Sequence, residues 1–537
     1  MMGKILSLNQ KSNSIWPLVF GLVVLCIPIV LIVWSVTRYT NGVFMYPFDD
    51  TFIHLTIADN LLKGNWGVNP NEFSSASSSI LYTLLLALFR FFSKSSLVPF
   101  VVNCLAGVVI LIAVHYWLRK HAINYMVQGV IFLLVIFFTP LPLLVVSGME
   151  HTLQCLFSFL FIFYFSDWLE KSDYSSKGIL PLKILLFAVL LSTIRYEGLF
   201  IIAIAVLLLI VKKKFYTASL LLIVSITPLL IFGFVSLNQG NFFLPNSVLV
   251  KSGSFNNANP IRFLYDIVFE KWVYARNGMA ALATQRLLII LPLLYLLFKK
   301  YLRSTYSFIL IFLFGTAILQ LSFASTGYLY RYEAYLFFCF MIIVPILFFK
   351  YGKQVFSNAI SLVSKLAVIA LAFFLFFPLL LRGFTALNKT AQACINIYDQ
   401  QYQMAMFTKK FYNQNTLALN DIGAVGYFTD SRIIDLWGLA DVQVTKSKKQ
   451  HYWTAPFLDS LSKANDVQLA IIYDSWFPEP LLKLWNKVAT WEIQNNVICG
   501  DSIVSFYTLN SSSKDLLKAQ LKSFEQRLPS TVQIKYY

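Results

Sequence analysis

The sequence predicts an α-helical polytopic membrane protein that carries a polar α/β domain at its C-terminal end. Three observations predict it. Of 537 residues, 58% are hydrophobic and only 13% charged, with 50 Phe and a mean hydropathy of +0.67; soluble globular chains run roughly 45–50% apolar. The apolar residues fall in runs near the ~20 residues that cross a bilayer, separated by short basic loops. After Leu381 the composition turns polar and alternating.

Taken in order, the long apolar runs are 16–36, 97–117, 125–146, 151–168, 196–211, 217–237, 306–322, 332–350 and 358–381, with shorter ones at 179–193 and 286–298. Lys4 and Lys11 precede the first run. That run exceeds a signal-peptide core and no small-x-small site follows it, so it reads as an uncleaved first span. The run Ile80–Phe92 is too short, reaching about 20 Å against a hydrocarbon core of ~30 Å.

Counting Lys and Arg decides its role. If 80–92 does not cross and the N-terminus is cytoplasmic, then Arg119-Lys120-His121, 171–177, Lys212-Lys213-Lys214, 299–303 and 350–353 all fall inside. The acidic and mixed segments then fall outside. If 80–92 crosses, every later basic cluster inverts. The bias favours about eleven spans in an inner (plasma) membrane, with 80–92 in the interface or entering and leaving on one side. This gives a membrane domain over 1–382, with a first outer loop at 37–96 and a long outer loop at 238–285, and an extracytoplasmic domain over 383–537. In the latter, 416–419, 432–436, 468–473, 487–493 and 502–509 read as strands by alternation and β-branched content.

The net charge of +18 sits in clusters between spans, as topology determinants do, which argues against nucleic acid as a partner. Cys26, Cys104, Cys155 and Cys339 lie in apolar runs, where packing is the default; Cys394 and Cys499 lie in the polar part and no C-x-x-C occurs. A bridge between those two stays open.

The unusual ionisable residues collect on the outer side. Asp49 and Asp50 follow the first span, Glu150 follows Thr139-Pro140-Leu141-Pro142, and Arg195 and Glu197 lie between two spans. Lys251 is in the long loop, and Arg331 with Glu333 opens a span. Such groups at a membrane boundary are costly and default to function. An acid can take the proton of an acceptor hydroxyl, and the cations Arg195, Lys251 and Arg331 can hold an anionic leaving group such as a lipid phosphate.

Plainer readings stand beside these. Asp49-Asp50 suits a helix N-terminus, Glu150 can cap the next span, Arg195 and Glu197 can form a structural ion pair, and Lys251 can be a solvated loop charge. His54 lies one turn after Asp50 and could share a divalent metal with it; two ligands make a weak signature, so no metal site is assigned, and metal dependence stays open because adjacent acids serve as ligands as readily as bases. His115, His121, His151 and His451 show no ligand spacing.

Several stretches resemble a known family. Asp49-Asp50-Thr51-Phe52-Ile53, Ala58-x-Asn60-Leu61-Leu62-x-x-Gly64, Asn69-Pro70-x-Glu72 and Ser77-Ser78-Ser79-x-Leu81-Tyr82 resemble the first outer loop of GT-C fold glycosyltransferases. The likeness is to the bacterial branch with protein mannosyltransferase-like enzymes and mycobacterial terminal arabinofuranosyltransferases. Ser147-Gly148-Met149-Glu150, Arg195-Tyr196-Glu197-Gly198, Leu244-Pro245-Asn246-Ser247 with Lys251, Arg331-Tyr332, and Asp421-Ile422-Gly423-Ala424-Val425-Gly426-Tyr427 through Asp435-Leu436-x-Gly438-Leu439 follow in the same order. This chain has Ser79-Ile80-Leu81 where the family usually has Ser-Pro-Leu, and Tyr196 where it often has Pro.

The resemblance implies a membrane glycosyltransferase that uses a polyprenyl-phosphate-linked sugar donor, with Asp49 or Asp50 as catalytic base and Glu150 assisting. Neighbours on a helix point about 100° apart, so one of the two acids faces the cavity; Asp49 is taken slightly ahead of Asp50. The acceptor is expected to be a hydroxyl of an envelope glycan, lipid or protein. The rivals are a lipid-linked sugar flippase, which should show mid-membrane charges and inverted repeats, and a non-catalytic envelope assembly subunit. Gly423-Ala424-Val425-Gly426 superficially suggests dinucleotide binding, but the third glycine and the βαβ context are missing. An acceptor-positioning or purely structural role fits the C-terminal domain better.

Overall fold

The computed structural model describes residues 14–172, 180–251, 265, 279–356 and 362–537. The helices are α1 (Trp16–Tyr39), α2 (Asp50–Leu61), α3 (Ile80–Phe92), α4 (Val98–Lys120), α5 (Tyr125–Phe138), α6 (Leu141–Val146) and α7 (His151–Ser172). They continue with α8 (Leu182–Ile194), α9 (Gly198–Val211), α10 (Phe215–Asn238), α11 (Asn246–Lys251), α12 (Met279–Phe298), α13 (Ser304–Phe323), α14 (Ala334–Phe356) and α15 (Leu362–Ile397). Each apolar run of the sequence is a helix. The run 125–146 is two of them, because Thr139 and Pro140 divide α5 from α6, proline being unable to continue an intrahelical ladder. Seven helices among the described residues are long and apolar enough to cross a membrane, and Ile80–Phe92, Tyr125–Phe138, Leu182–Ile194 and Gly198–Val211 are shorter apolar helices.

The chain forms two compact units. The first comprises Met1–Leu31, Phe100–Leu230 and Asn257–Asn388. Here α14 packs against α5 and α7, and α13 against α7 and α9. Aromatic contacts fill the interior; the rings of Trp117 and Phe163 meet edge to face at 4.8 Å. Arg382, on α15, is wholly buried. Its Nε donates to Glu333 Oε1 at 3.1 Å, Nη1 to the Phe138 carbonyl at 2.9 Å and Nη2 to the Tyr330 carbonyl at 2.6 Å. A buried cation is tolerable when paired and hydrogen-bonded in this way. Gly383 makes the approach possible, because a Cβ there would lie 2.3 Å from the Phe137 carbonyl oxygen.

The second unit comprises Ile32–Pro99, Ile231–Asn256 and Lys389–Tyr537. After α15, a π-turn at Tyr398–Tyr402 leads into α16 (Gln403–Phe411) and then a sheet domain. Its elements are β1 (Thr416–Leu419), α17 (Gly423–Phe428), β2 (Arg432–Asp435), α18 (Val442–Lys449), α19 (Ala455–Ala464), β3 (Leu469–Ile472), α20 (Glu479–Leu484), β4 (Asn486–Glu492), β5 (Ile503–Thr508), α21 (Lys514–Glu525) and β6 (Gln533–Tyr536). The strand order is β2-β1-β3-β5-β4-β6. β1 runs parallel to β2 and β3, and the remaining pairs are antiparallel. All five expected strands are present within a residue or so at each end, and β6 was not foreseen.

Residues 37–96 pack into this unit through their own helices. α2 lies against α17 and α3 against α2. Arg90 of α3 holds Asp59 of α2 by Nε to Oδ1 at 2.9 Å and Nη2 to Oδ2 at 2.5 Å. The other face of α3 leaves Leu84, Leu88, Phe91 and Phe92 exposed, the pattern of a helix lying in a bilayer interface.

Asn69 closes the exposed edge of β2. Its Nδ2 donates to the Ile433 carbonyl at 2.9 Å, and the Ile433 N–H donates to its Oδ1 at 2.8 Å. The side-chain amide thereby stands in for a neighbouring strand. Asn69→Ala should cost about 1–3 kcal/mol of stability by orphaning a buried backbone pair, measured by thermal melting of the purified protein.

Candidate active site

The candidate residues form two groups, each within one unit. In the second unit the chain leaves Phe48 so that Asp49 stands at the N-cap of α2 and Asp50 in its first turn. The Asp49 side chain caps α17 rather than its own helix. The Gly423 N–H donates to its Oδ2 at 2.6 Å and the Ala424 N–H to its Oδ1 at 2.7 Å. Both carboxylate oxygens are therefore held by backbone donors at the start of a helix, where orphan N–H groups and the helix dipole favour an anion.

Asp421, two residues before Gly423, completes the cluster. The Gln401 side-chain amide donates to Asp421 Oδ2 at 2.9 Å and the Tyr473 hydroxyl to the same oxygen at 2.6 Å. The π-turn supplies this contact, placing Gln400 and Gln401 side by side beneath the acid, with the Tyr473 hydroxyl also 2.7 Å from Gln400 Oε1. Asp49, Asp50 and Asp421 are all half-buried. Burial, then the charge of Asp421, raises Asp49 above the ordinary carboxylate range, while the Ala424 and Gly423 N–H groups oppose the shift and Asp50 adds to it. Asp421 is likewise raised, first by burial, with the Asp50 charge adding and Tyr473 and Gln401 opposing. Asp49 and Asp421 are thus raised in one electrostatic environment to which the Asp50 charge contributes.

His54 has a different job. Its Nδ1 lies 3.2 Å from Ser77 Oγ, which also meets Thr83 Oγ1 at 2.9 Å, and its ring abuts Tyr82. It therefore ties α2 to the Ser-rich stretch that starts α3. Among the described residues no three His, Cys, Asp or Glu side chains are grouped to hold a metal. Lys251 ends α11, and its side chain lies outside the described residues.

In the first unit Glu150 follows Gly148, whose φ of 61° makes the turn into α7. Glu150 is fully buried. Arg195, in the extended break between α8 and α9, donates from Nη1 to Glu150 Oε1 at 2.5 Å, from Nη2 to Glu197 Oε1 at 2.6 Å and from Nε to Glu197 Oε2 at 3.1 Å. The Tyr332 ring lies over Arg195 at 5.5 Å and over Arg331 at 5.0 Å. Arg331 also stacks on Tyr328 at 4.8 Å and donates from Nη2 to the Tyr332 hydroxyl at 3.2 Å. His151 packs edge-on against the same Tyr332 ring at 5.8 Å. The unit thus contains an acid–arginine–acid triad with a second arginine held on aromatic faces.

Sequence reasoning singled out Asp49, Asp50, Glu150, Arg195, Glu197 and Arg331, and the structure groups the first two with Asp421 and the last four around Tyr332. It passed over Asp421, Tyr473, His151 and Arg382 as site or anchor residues. The position of Asp421 just after β1 was an available indication, since ligands gather at the carboxyl ends of parallel strands. Arg382 at the end of an apolar run was another.

The chain is a multi-pass helical membrane protein of the GT-C fold with a C-terminal sheet-and-helix domain. That fold is shared with a crystal structure of ArnT from Cupriavidus metallidurans in the apo state, at a TM-score of 0.53 and 11% identity, over 93% of this chain and 98% of that one. The likeness does not single out the branch named from the sequence motifs. Residues 395–507 match a family described as a domain of unknown function, DUF8728. No curated protein matches.

A Cβ on Gly423 would lie 2.1 Å from the Asp49 carbonyl oxygen and 2.7 Å from its Oδ2. Gly423→Ala should therefore displace Asp49 and lower the melting temperature. Gly426→Ala meets the end of the Ile433 side chain at 3.0 Å and the Val68 side chain at an ordinary 3.5 Å and should be tolerated, so equal melting of the two variants would contradict this anchor.

Proposed function

We propose that the protein transfers a sugar from a polyprenyl-phosphate-linked donor to a hydroxyl of a cell-envelope glycan, lipid or protein. What carries the reading is the cluster of Asp49, Asp50 and Asp421 in a chain of GT-C fold. ArnT, which shares the fold, is a 4-amino-4-deoxy-L-arabinose transferase. The distribution of Lys and Arg along the sequence supports a cytoplasmic N-terminus and an active site on the outer side of the plasma membrane.

Asp50 is the base. Asp49 has both oxygens committed to backbone N–H groups, so it positions the start of α2. Asp50 accepts the acceptor's hydroxyl proton as that oxygen bonds to the anomeric carbon. The bond from the anomeric carbon to the phosphate oxygen breaks, and its electron pair leaves with the polyprenyl phosphate. The departing phosphate charge is met by Lys251, which belongs to the same unit as Asp50. Arg195 already serves two carboxylates, Glu150 and Glu197, within the first unit.

Purified protein incubated with labelled polyprenyl-phosphate sugars should release polyprenyl phosphate, an outcome neither a flippase nor a non-catalytic subunit gives. Asp50→Asn should cut that release about 10²–10⁴-fold, the usual worth of a general base, while the variant melts as the parent does. Retained turnover in this variant would remove Asp50 from the mechanism.

The shared charge also sets a pH dependence. The base works as its carboxylate, so turnover should fall as the pH drops and that carboxylate takes up a proton. Removing a neighbouring negative charge lowers the remaining proton affinities. Asp421→Asn should therefore move the acidic limb of the rate profile to lower pH. An unmoved limb would show that the acids do not titrate together.

A further inference from the structure

The long loop contributes one dipeptide that is out of keeping with its surroundings. Asn246 opens α11 and is fully buried, and Ser247 is 2% exposed. Among the described residues neither the amide oxygen nor the amide nitrogen of Asn246 has a hydrogen-bond partner, nor does the Ser247 hydroxyl. Leaving a buried polar group unmet costs about 1–3 kcal/mol, and native interiors rarely tolerate it without a ligand or water to satisfy it.

Asn60 and Asn69, buried in the same unit, show the usual outcome, whereas Asn241 leaves only its amide oxygen unmet. Asn60 donates to the Gly67 and Val68 carbonyls at 2.9 and 3.0 Å, and Asn69 pairs with both backbone groups of Ile433. Those two amides are structural. Asn246 is placed just as firmly, but by its backbone: its N–H donates to Ser75 Oγ at 3.2 Å, and α11 packs against α18. The side chain is thereby fixed in position with its hydrogen-bonding capacity unspent.

We propose that Asn246 and Ser247 form a subsite that reads vicinal hydroxyls of a saccharide. The inference rests on the glycosyl-transfer reading above, and names what that site recognises. The donor set selects the ligand class. A phosphate oxygen needs donors only, and the Asn246 amide oxygen would repel it. An apolar group would leave all three atoms unmet. A pair of neighbouring sugar hydroxyls offers one donor and one acceptor each, matching the planar amide and the adjacent hydroxyl. Sites built to bond a substrate hydroxyl discriminate strongly against ligands lacking it, because their own groups are then stranded.

The saccharide can be the donor's sugar or the acceptor's, and thermal melting of the full-length protein in detergent separates the two. One panel holds polyprenyl-phosphate mannose, glucose and arabinofuranose; the other holds the methyl glycosides of the same sugars. Asn246→Leu and Ser247→Ala are compared with the parent. The expected result is that a member of one panel stabilises the parent, and that each variant needs about 10- to 100-fold more of it, the worth of one or two hydrogen bonds. Without ligand, Asn246→Leu should melt at or above the parent temperature, because an unmet polar group has been removed. A variant that melts well below the parent, ligand shifts equal in parent and variants, or no shift with any probe each overturn the proposal. Shifts as expected without release of polyprenyl phosphate would keep this subsite and overturn the transferase reading. Release that is equally fast in Asn246→Leu would do the reverse.

Discussion

The contact on which the second unit depends is the Asp49 carboxylate on the Gly423 and Ala424 N–H groups, at 2.6 and 2.7 Å. It joins residues 374 and 375 positions apart in the chain. A short helix start offers several backbone donors with no intrahelical partner, and burying them unmet would be costly. A carboxylate answers that need better than a neutral cap, because it accepts at both oxygens and meets the dipole with opposite charge. The same contact brings the first helix of the 37–96 segment onto α17 and sets Asp50 beside Asp421. One anchoring interaction therefore fixes both the packing of this segment and the electrostatics of the acids it carries.

The first unit solves a different problem, that of keeping charge in an apolar interior. Arg382 and Glu333 are both fully buried and hold each other, with the remaining Arg382 donors on the Phe138 and Tyr330 carbonyls and the Gly327 N–H on Glu333 Oε2. Such a pair offsets its own desolvation and leaves little for a substrate. The Glu150–Arg195–Glu197 triad has one more acid than base. Beside it, Arg331 is held on Tyr328 and Tyr332. Stacking of this kind fixes the orientation of a guanidinium.

Much of this was legible in the sequence where local chemistry decides the outcome. Apolar runs became helices, and alternation found β1 to β5. β6 escaped because Gln533–Tyr536 is four residues long with no side chain of the strand fully buried, so no apolar face marks it. The polar turn after Leu381 was read as the end of the last span, yet α15 runs on to Ile397. Composition reports the environment of a helix rather than its conformation. Asp49 and Asp50 were visible as an anomaly, and the backbone contacts that hold Asp49 were not. The two N–H partners of Asp49 lie in a motif read separately, hundreds of residues later.

That motif shows why a sequence pattern needs its structural setting. Gly423-Ala424-Val425-Gly426 follows β1 at the carboxyl end of a parallel strand, where glycine permits close approach to backbone N–H groups that elsewhere cradle phosphates. Here the approach is used, and the same hydrogen-bonding physics applies, but the anion is the protein's own Asp49. A Cβ at Gly423 would strike Asp49, as in a nucleotide site it would strike the ligand. With its donors occupied from within, this helix start is an assembly point for the acids. Recognition of a substrate then falls to side chains whose hydrogen bonds the fold leaves unspent, which is the distinction that separates Asn246 from Asn60 and Asn69.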